Sequence, residues 1–161
     1  MMKELYSENQ PDILRSVGKR YVCVSAAVFV LTAAICAVVC FFVDETNAGW
    51  LKAVNIALSA IGGSVVLYWL FDRILPSFAR RKYLVRLLSS DGKTLTGSVE
   101  DTGRDLTVAR YISARELKLT DDKGNSVLLY WDSEVPLPVF DGGRVAFRVV
   151  QNRIVAYEVT P

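Results

Sequence analysis

Tyr21 to Val43, YVCVSAAVFVLTAAICAVVCFFV, runs without a single Asp, Glu, Lys, Arg or His. As a helix rising ~1.5 Å per residue, such a run reaches ~34 Å, enough to cross the ~30 Å hydrocarbon core of a bilayer. A second uncharged run, Ala53 to Phe71, follows a short acidic gap, Asp44 to Trp50 (DETNAGW). The gap is long enough only for a tight turn, so the two predicted helices are antiparallel neighbours. The pattern predicts a membrane α-helical hairpin of two transmembrane helices over residues 21–71, with the extracytoplasmic turn at 44–50.

The flanks give the hairpin a direction. Lys3, Arg15, Lys19 and Arg20 precede the first run, and Arg73, Arg80, Arg81 and Lys82 follow the second, whereas the turn carries Asp44 and Glu45. Positive charge collects on the cytoplasmic side of membrane proteins, so both termini are expected in the cytoplasm of an integral membrane protein, with a bacterial inner membrane as the expected setting. Residues 1–20 read as a cytoplasmic N-terminal tail, with Ile13, Leu14 and Val17 on one face of an amphipathic turn. Residues 72–82 read as a basic juxtamembrane linker. Arg80, Arg81, Lys82 and Arg86 are the candidate contacts for an anionic lipid headgroup or a nucleotide, and a stop-transfer flank accounts for the same residues.

Small residues let helix backbones approach within lipid, where no hydrophobic force drives association. Ala33 and Ala37 on the first helix, and Ser59 and Gly63 on the second, carry that spacing and are the expected helix–helix packing positions. Cys23, Cys36 and Cys40 are the only cysteines and all fall in the first run. Without His or acidic neighbours they lack a metal-ligand set and read as small apolar packing residues.

From Tyr83 the period changes to two. Val85 and Leu87, Leu95 to Val99, Leu117 and Leu119, Val145 to Val149, and Val155 to Val159 each alternate with polar or small neighbours, as half-buried strands do. Asp91-Gly92-Lys93, Asp121 to Gly124, and Gln151-Asn152 supply turn chemistry. Leu106 to Ile112 reads as a further strand. Pro136 and Pro138 make Glu134 to Phe140 an extended connector, and Asp141-Gly142-Gly143 restarts the sheet. No stretch in this part has a convincing helical period. Six or seven short strands predict a small all-β barrel over residues 83–161, SH3-like or OB-like, exposed to the cytoplasm.

Within residues 83–161 ten Lys/Arg stand against eleven Asp/Glu, an excess of one negative charge. A nucleic-acid-binding domain carries a basic surplus, so no nucleic-acid partner is expected. The chain contains no histidine, the commonest general base and metal ligand. Nor does it contain a GxSxG, Walker A or GxGxxG motif. Asp101 with Asp105, and Asp121 with Asp122, read as turn carboxylates rather than acid–base pairs. No catalytic residue, cofactor site or metal site is assigned. Tyr130 and Trp131 are adjacent, so on a strand one ring faces outward. Together with Pro136, Pro138 and Phe140 it forms the candidate partner surface.

Two resemblances accompany these residues. The stretch VRLLSSDGKTLTGSVEDTGRDLTV, Val85 to Val108, with basic residues just before it, resembles the opening of a PilZ domain. That resemblance implies a β-barrel binding a cyclic dinucleotide through arginines ahead of the first strand and an Asp-x-Ser-x-x-Gly turn. Asp101 matches the turn, while Gly103 stands in place of the Ser and Leu106 in place of the Gly. Arg80, Arg81 and Arg86 depart from the arginine spacing. The overall plan, short membrane segments followed by a β-barrel, is similar to the short NfeD-like proteins, which implies a membrane-associated scaffold partner.

The expectation is therefore a non-enzymatic two-pass membrane protein. Its cytoplasmic β-barrel serves protein–protein interaction or self-assembly as an accessory or scaffold subunit in contact with membrane lipid. The alternative is a degenerate PilZ-like nucleotide sensor.

Overall fold

The computed structural model describes residues 2–140 and 143–160. It resolves into two compact units, Leu14–Phe78 and the combination of Met1–Ile13 with Ala79–Pro161.

Helix α1 (Gln10–Phe41) and helix α2 (Ala48–Trp69) make up most of the first unit. Pro11 stands at the start of α1, where its missing N–H is no loss. The connection is as tight as the short gap requires. Asn47 closes it with both ends of its side chain: Oδ1 accepts from the Asp44 amide at 2.7 Å and Nδ2 donates to the Phe42 carbonyl at 3.0 Å. Both helices are long and apolar enough to cross a membrane.

The two helices meet in an antiparallel series of contacts. Tyr21 faces Trp69, with ring centroids 6.5 Å apart. A Cβ on Gly62 would fall 2.5 Å from Thr32 Oγ1. Cys36 Sγ lies 3.4 Å from Ser59 Oγ, and Asn55 Nδ2 donates to Cys40 Sγ at 3.1 Å. The contact stripe is thus Thr32, Cys36 and Cys40 against Asn55, Ser59 and Gly62, each set at helical spacing. Of the expected packing positions Ser59 lies on this stripe. Ala33 and Ala37 are exposed, and nothing lies within 4 Å of a Cβ built on Gly63. Polar side chains pairing across the helices have set the rotation, one position away from the alanines.

After Trp69 comes one π-helical turn, Leu70–Ile74, and then helix α3 (Leu75–Leu88). Proline inside a helix clashes with the carbonyl four residues back and cannot donate to it. The turn ahead of Pro76 widens accordingly, and the Leu75 amide bonds to the Leu70 carbonyl five residues back. Ser77 Oγ donates to the Arg73 carbonyl at 2.6 Å.

Helix α3 corrects the sequence reading. Val85 to Leu88 are its last turn, not a strand, and Asp91-Gly92-Lys93 joins a helix to a strand rather than closing a hairpin. The alternation of Val85, Leu87 and their neighbours spans too few residues to separate period two from 3.6. Over the whole helix, Arg80, Tyr83, Leu84 and Leu87 form one buried stripe.

The second unit is a sheet of six strands among the described residues: β1 (Lys3–Glu4), β2 (Lys93–Ala109), β3 (Ile112–Thr120), β4 (Ser126–Asp132), β5 (Arg144–Val150) and β6 (Arg153–Thr160). Their order is β1-β6-β4-β3-β2-β5, and β5 also pairs with β6. The ladders are antiparallel except where β4 touches β6. There the pairing is parallel and reduced to Tyr130↔Arg153. With only that seam, the sheet is not closed as the expected barrel. The helix-then-sheet layout holds.

The expected strand at Leu95 to Val99 and the first part of the one expected at Leu106 to Ile112 are a single strand, β2, which ends at Ala109; Arg110 and Tyr111 turn the chain and Ile112 opens β3. The first part of β2, Lys93 to Gly97, pairs with β5, and from Ser98 it pairs with β3. Gly97 is the corner: a Cβ there would stand 2.2 Å from the Thr120 carbonyl oxygen. Glycine is what allows a backbone to approach this closely. Gly103 (φ +70°) occupies the irregularity between Asp101 and Asp105. The Asp121 turn joins β3 to β4, and Gln151-Asn152, both at positive φ, joins β5 to β6 as read from sequence. Asp141 and Gly142 of the expected restart lie outside the described residues.

The core holds Leu117, Leu119, Leu129, Trp131, Val145, Phe147, Val149 and Ile154, with Phe140 and Tyr157 packed against it. Phe140 meets Trp131, Phe147 and Tyr157 edge-on at 6.4, 5.8 and 6.4 Å between centroids.

Candidate functional site

One face of α3 and one end of the sheet enclose a cleft of about 440 Å³. On the helix, Ala79, Lys82, Tyr83, Arg86 and Leu87 line it, a stripe at helical spacing that Ser90 continues just past the helix end. The facing wall is built where strands end: Ala109, Arg110 and Ile112 around the β2–β3 turn, and Val150, Gln151 and Arg153 around the β5–β6 turn. Both turns use positive φ at non-glycine residues, Tyr111 at +63° and Gln151 at +49°. These conformations bring the two strand ends round toward the helix at a conformational cost of about 1 kcal/mol or more each.

Four cations line the cleft, Lys82, Arg86, Arg110 and Arg153, and no carboxylate does. Arg153 is held in place. Its guanidinium lies 4.6 Å over the Tyr83 ring, and Nη2 donates to the Val108 carbonyl at 3.2 Å. Burial raises the pKa of the Tyr83 phenol against the opposing effect of Arg153, so the ring beneath the guanidinium stays neutral. Lys82, Arg86 and Arg110 are exposed and form no ion pair with a carboxylate among the described residues. A smaller cleft of about 330 Å³, lined by Tyr130 among others, adjoins this one and shares Gln151 and Arg153 with it.

The four basic residues singled out in the sequence do not act as a set. Arg80 is buried, its Nη2 2.9 Å from Asp132 Oδ2 and its Nη1 paired with Glu134. Arg81 is half-buried, with Nε lacking a partner. Lys82 and Arg86, one helical turn apart, are the two that reach the cleft. Sequence reasoning missed Arg110 and Arg153, which come from distant turns. It would have found the helical wall by testing residues 79–90 for a 3.6 period.

The aromatic surface also divides. Trp131 is a core residue, 1% exposed, with its indole N–H bonded to the Val135 carbonyl at 2.8 Å. Phe140 packs beside it. Pro136 is exposed, while Tyr130 and Pro138 are half-buried. The acidic pairs serve turns and ion pairs. Asp101 binds Arg115 through both oxygens at 2.9 and 2.8 Å and accepts the Gly103 amide. Asp121 accepts the Lys123 and Asn125 amides at 2.8 Å each, and Asp122 pairs with Arg144.

No family model, curated protein or solved structure matches the chain.

Proposed function

We propose that the chain is a two-pass protein of a bacterial inner membrane, with both termini cytoplasmic, that presents its β domain to a protein partner or to a second copy. In this reading it works by binding and not by catalysis, and its curled sheet is a variant of the SH3-like or OB-like barrel. One observation carries the membrane assignment. In the apolar windows of the two long helical stretches only 6% and 0% of residues are buried. A core helix of a water-soluble protein hides its apolar face, and side chains such as Phe29, Leu31, Ile56 and Ile61 stand open here. The charge asymmetry of the flanks supports the direction.

Alkaline carbonate extraction of membranes tests the assignment, with reporter fusions at each end testing the topology. Retention in the pellet with both reporters cytoplasmic is expected. Release into the supernatant, or an external carboxyl end, refutes it. Cross-linking in intact membranes tests the binding role: a discrete higher-mass species is expected, and monomer alone argues against it.

A further inference from the structure

We propose that the cleft between α3 and the β2–β3 and β5–β6 turns binds a phosphate group through Lys82, Arg86, Arg110 and Arg153. The inference goes beyond the membrane-presentation reading; only its headgroup arm rests on that reading.

Charge is unevenly placed within this domain. The compact unit that holds the cleft carries as many acidic as basic residues, and among its described residues five other basic side chains pair with carboxylates: Arg80 with Asp132, Arg115 with Asp101, Lys118 with Glu100, Arg144 with Asp122 and Arg148 with Glu4. At the cleft the pattern reverses, with four cations and no acid along its walls. Like charges gathered around one concavity repel one another, and a bound anion relieves that repulsion.

The cleft is also preorganised. Arg153 is already immobilised by the Tyr83 ring and the Val108 carbonyl, which leaves other guanidinium N–H groups for a ligand. A donor fixed before binding loses little freedom on binding. Lys82 and Arg86 project from a helix, and Arg110 from a turn whose φ angle is unusual.

The charge and size of the cleft match a phosphate-bearing ligand. Several cations exceed what one carboxylate needs and suit a multiply charged phosphate, whose oxygens accept bidentate arginine. The volume lies within the ~300–1,000 Å³ of small-molecule sites. Ala79, Leu87, Ile112 and Val150 give the cleft an apolar lining for whatever bears the phosphate.

Phosphate can arrive on a soluble molecule or on a lipid headgroup, and two experimental arms separate them. The full-length protein is placed in nanodiscs of phosphatidylcholine alone, and amide hydrogen exchange is followed with and without pyrophosphate. The second arm replaces a third of the lipid by phosphatidylglycerol, with no pyrophosphate. Protection of residues 79–90, 109–112 and 150–153 in the first arm identifies a soluble phosphate ligand. Protection in the second arm alone identifies the headgroup. Protection in neither overturns the proposal. Arg86→Gln with Arg110→Gln, both at exposed positions, should weaken pyrophosphate binding about tenfold for each cation removed. Lys82→Glu should do the same by repulsion. Unchanged binding in both variants overturns the proposal even where the wild type binds.

Discussion

Arg80 and Asp132 are joined inside the β domain by a 2.9 Å ion pair, and the carboxylate oxygen that takes Arg80 also accepts the Tyr6 hydroxyl at 3.1 Å. One buried carboxylate thereby ties the N-terminal segment, helix α3 and the end of β4 together. Burial first, and then the Asp132 charge, hold the Tyr6 phenol far above its ordinary range, so it remains a donor. Removing Arg80 would strand a carboxylate whose side chain is 1% exposed. Arg80→Ala is expected to cost about 3–5 kcal/mol, and Tyr6→Phe about 1 kcal/mol. Thermal unfolding followed by near-ultraviolet circular dichroism ranks the two. A smaller loss for Arg80→Ala than for Tyr6→Phe would remove the clamp from the account.

Gly97 is expected to tolerate no side chain. The nearest obstacle to a Cβ is the Thr120 backbone, which cannot rotate aside. Gly97→Ala should destabilise the domain by about 3 kcal/mol, at the upper end for overpacking. Gly124→Ala is the control: its φ is positive, unlike that of Gly97, but nothing lies within 4 Å, so only the left-handed strain of about 1 kcal/mol applies. Equal losses in a denaturant titration would contradict the corner.

Trp131 and Tyr130 are neighbours with opposite roles. Trp131→Ala removes a fully buried ring of the aromatic cluster and should cost about 3–5 kcal/mol. Tyr130→Ala, at a half-buried position, should cost well under half of that. Partner capture by the Tyr130 variant, relative to wild type, then reports on the surface without the confusion of unfolding.

Asp101 provides a pH signature. The Arg115 hydrogen bond, and then the Gly103 amide, hold its carboxyl below the ordinary value of 3.8. The folded value is the lower one, so the stabilisation is present above the unfolded pKa and is lost as pH falls through the folded one. Between pH 6 and pH 2 the wild type should therefore lose more stability than Asp101→Asn. Parallel melting curves for the two proteins across that range would show that the pair contributes nothing.

The β5–β6 turn has room for improvement. Gln151 and Asn152 hold φ of +49° and +63°, the arrangement that Asn-Gly fits best. Gln151→Asn with Asn152→Gly should raise stability by about 1 kcal/mol. A lower melting temperature would show that contacts of Gln151 at the cleft outweigh the backbone gain.

The sequence by itself determined what local rules control. Two uncharged runs of spanning length, a tight acidic turn, the Asp121 and Gln151 turns, and most of the strand alternation are written in neighbouring residues, because hydropathy and turn chemistry act over short distances. It also marked Asp121 as a turn residue, whereas Asp101, read the same way, stands within β2 and pairs with Arg115. Tertiary structure alone decided the rest. Which helix face meets the other depended on Asn55 finding Cys40. Whether Arg80 pointed at a ligand or into the core depended on Asp132, a residue far along the chain. The cleft's cations come from a helix and from two turns separated by most of the sheet, so no window of sequence contains them. Whether Val85 to Leu88 became strand or helix was likewise settled by burial of Tyr83, Leu84 and Leu87, a tertiary gain that outweighs a short alternating pattern.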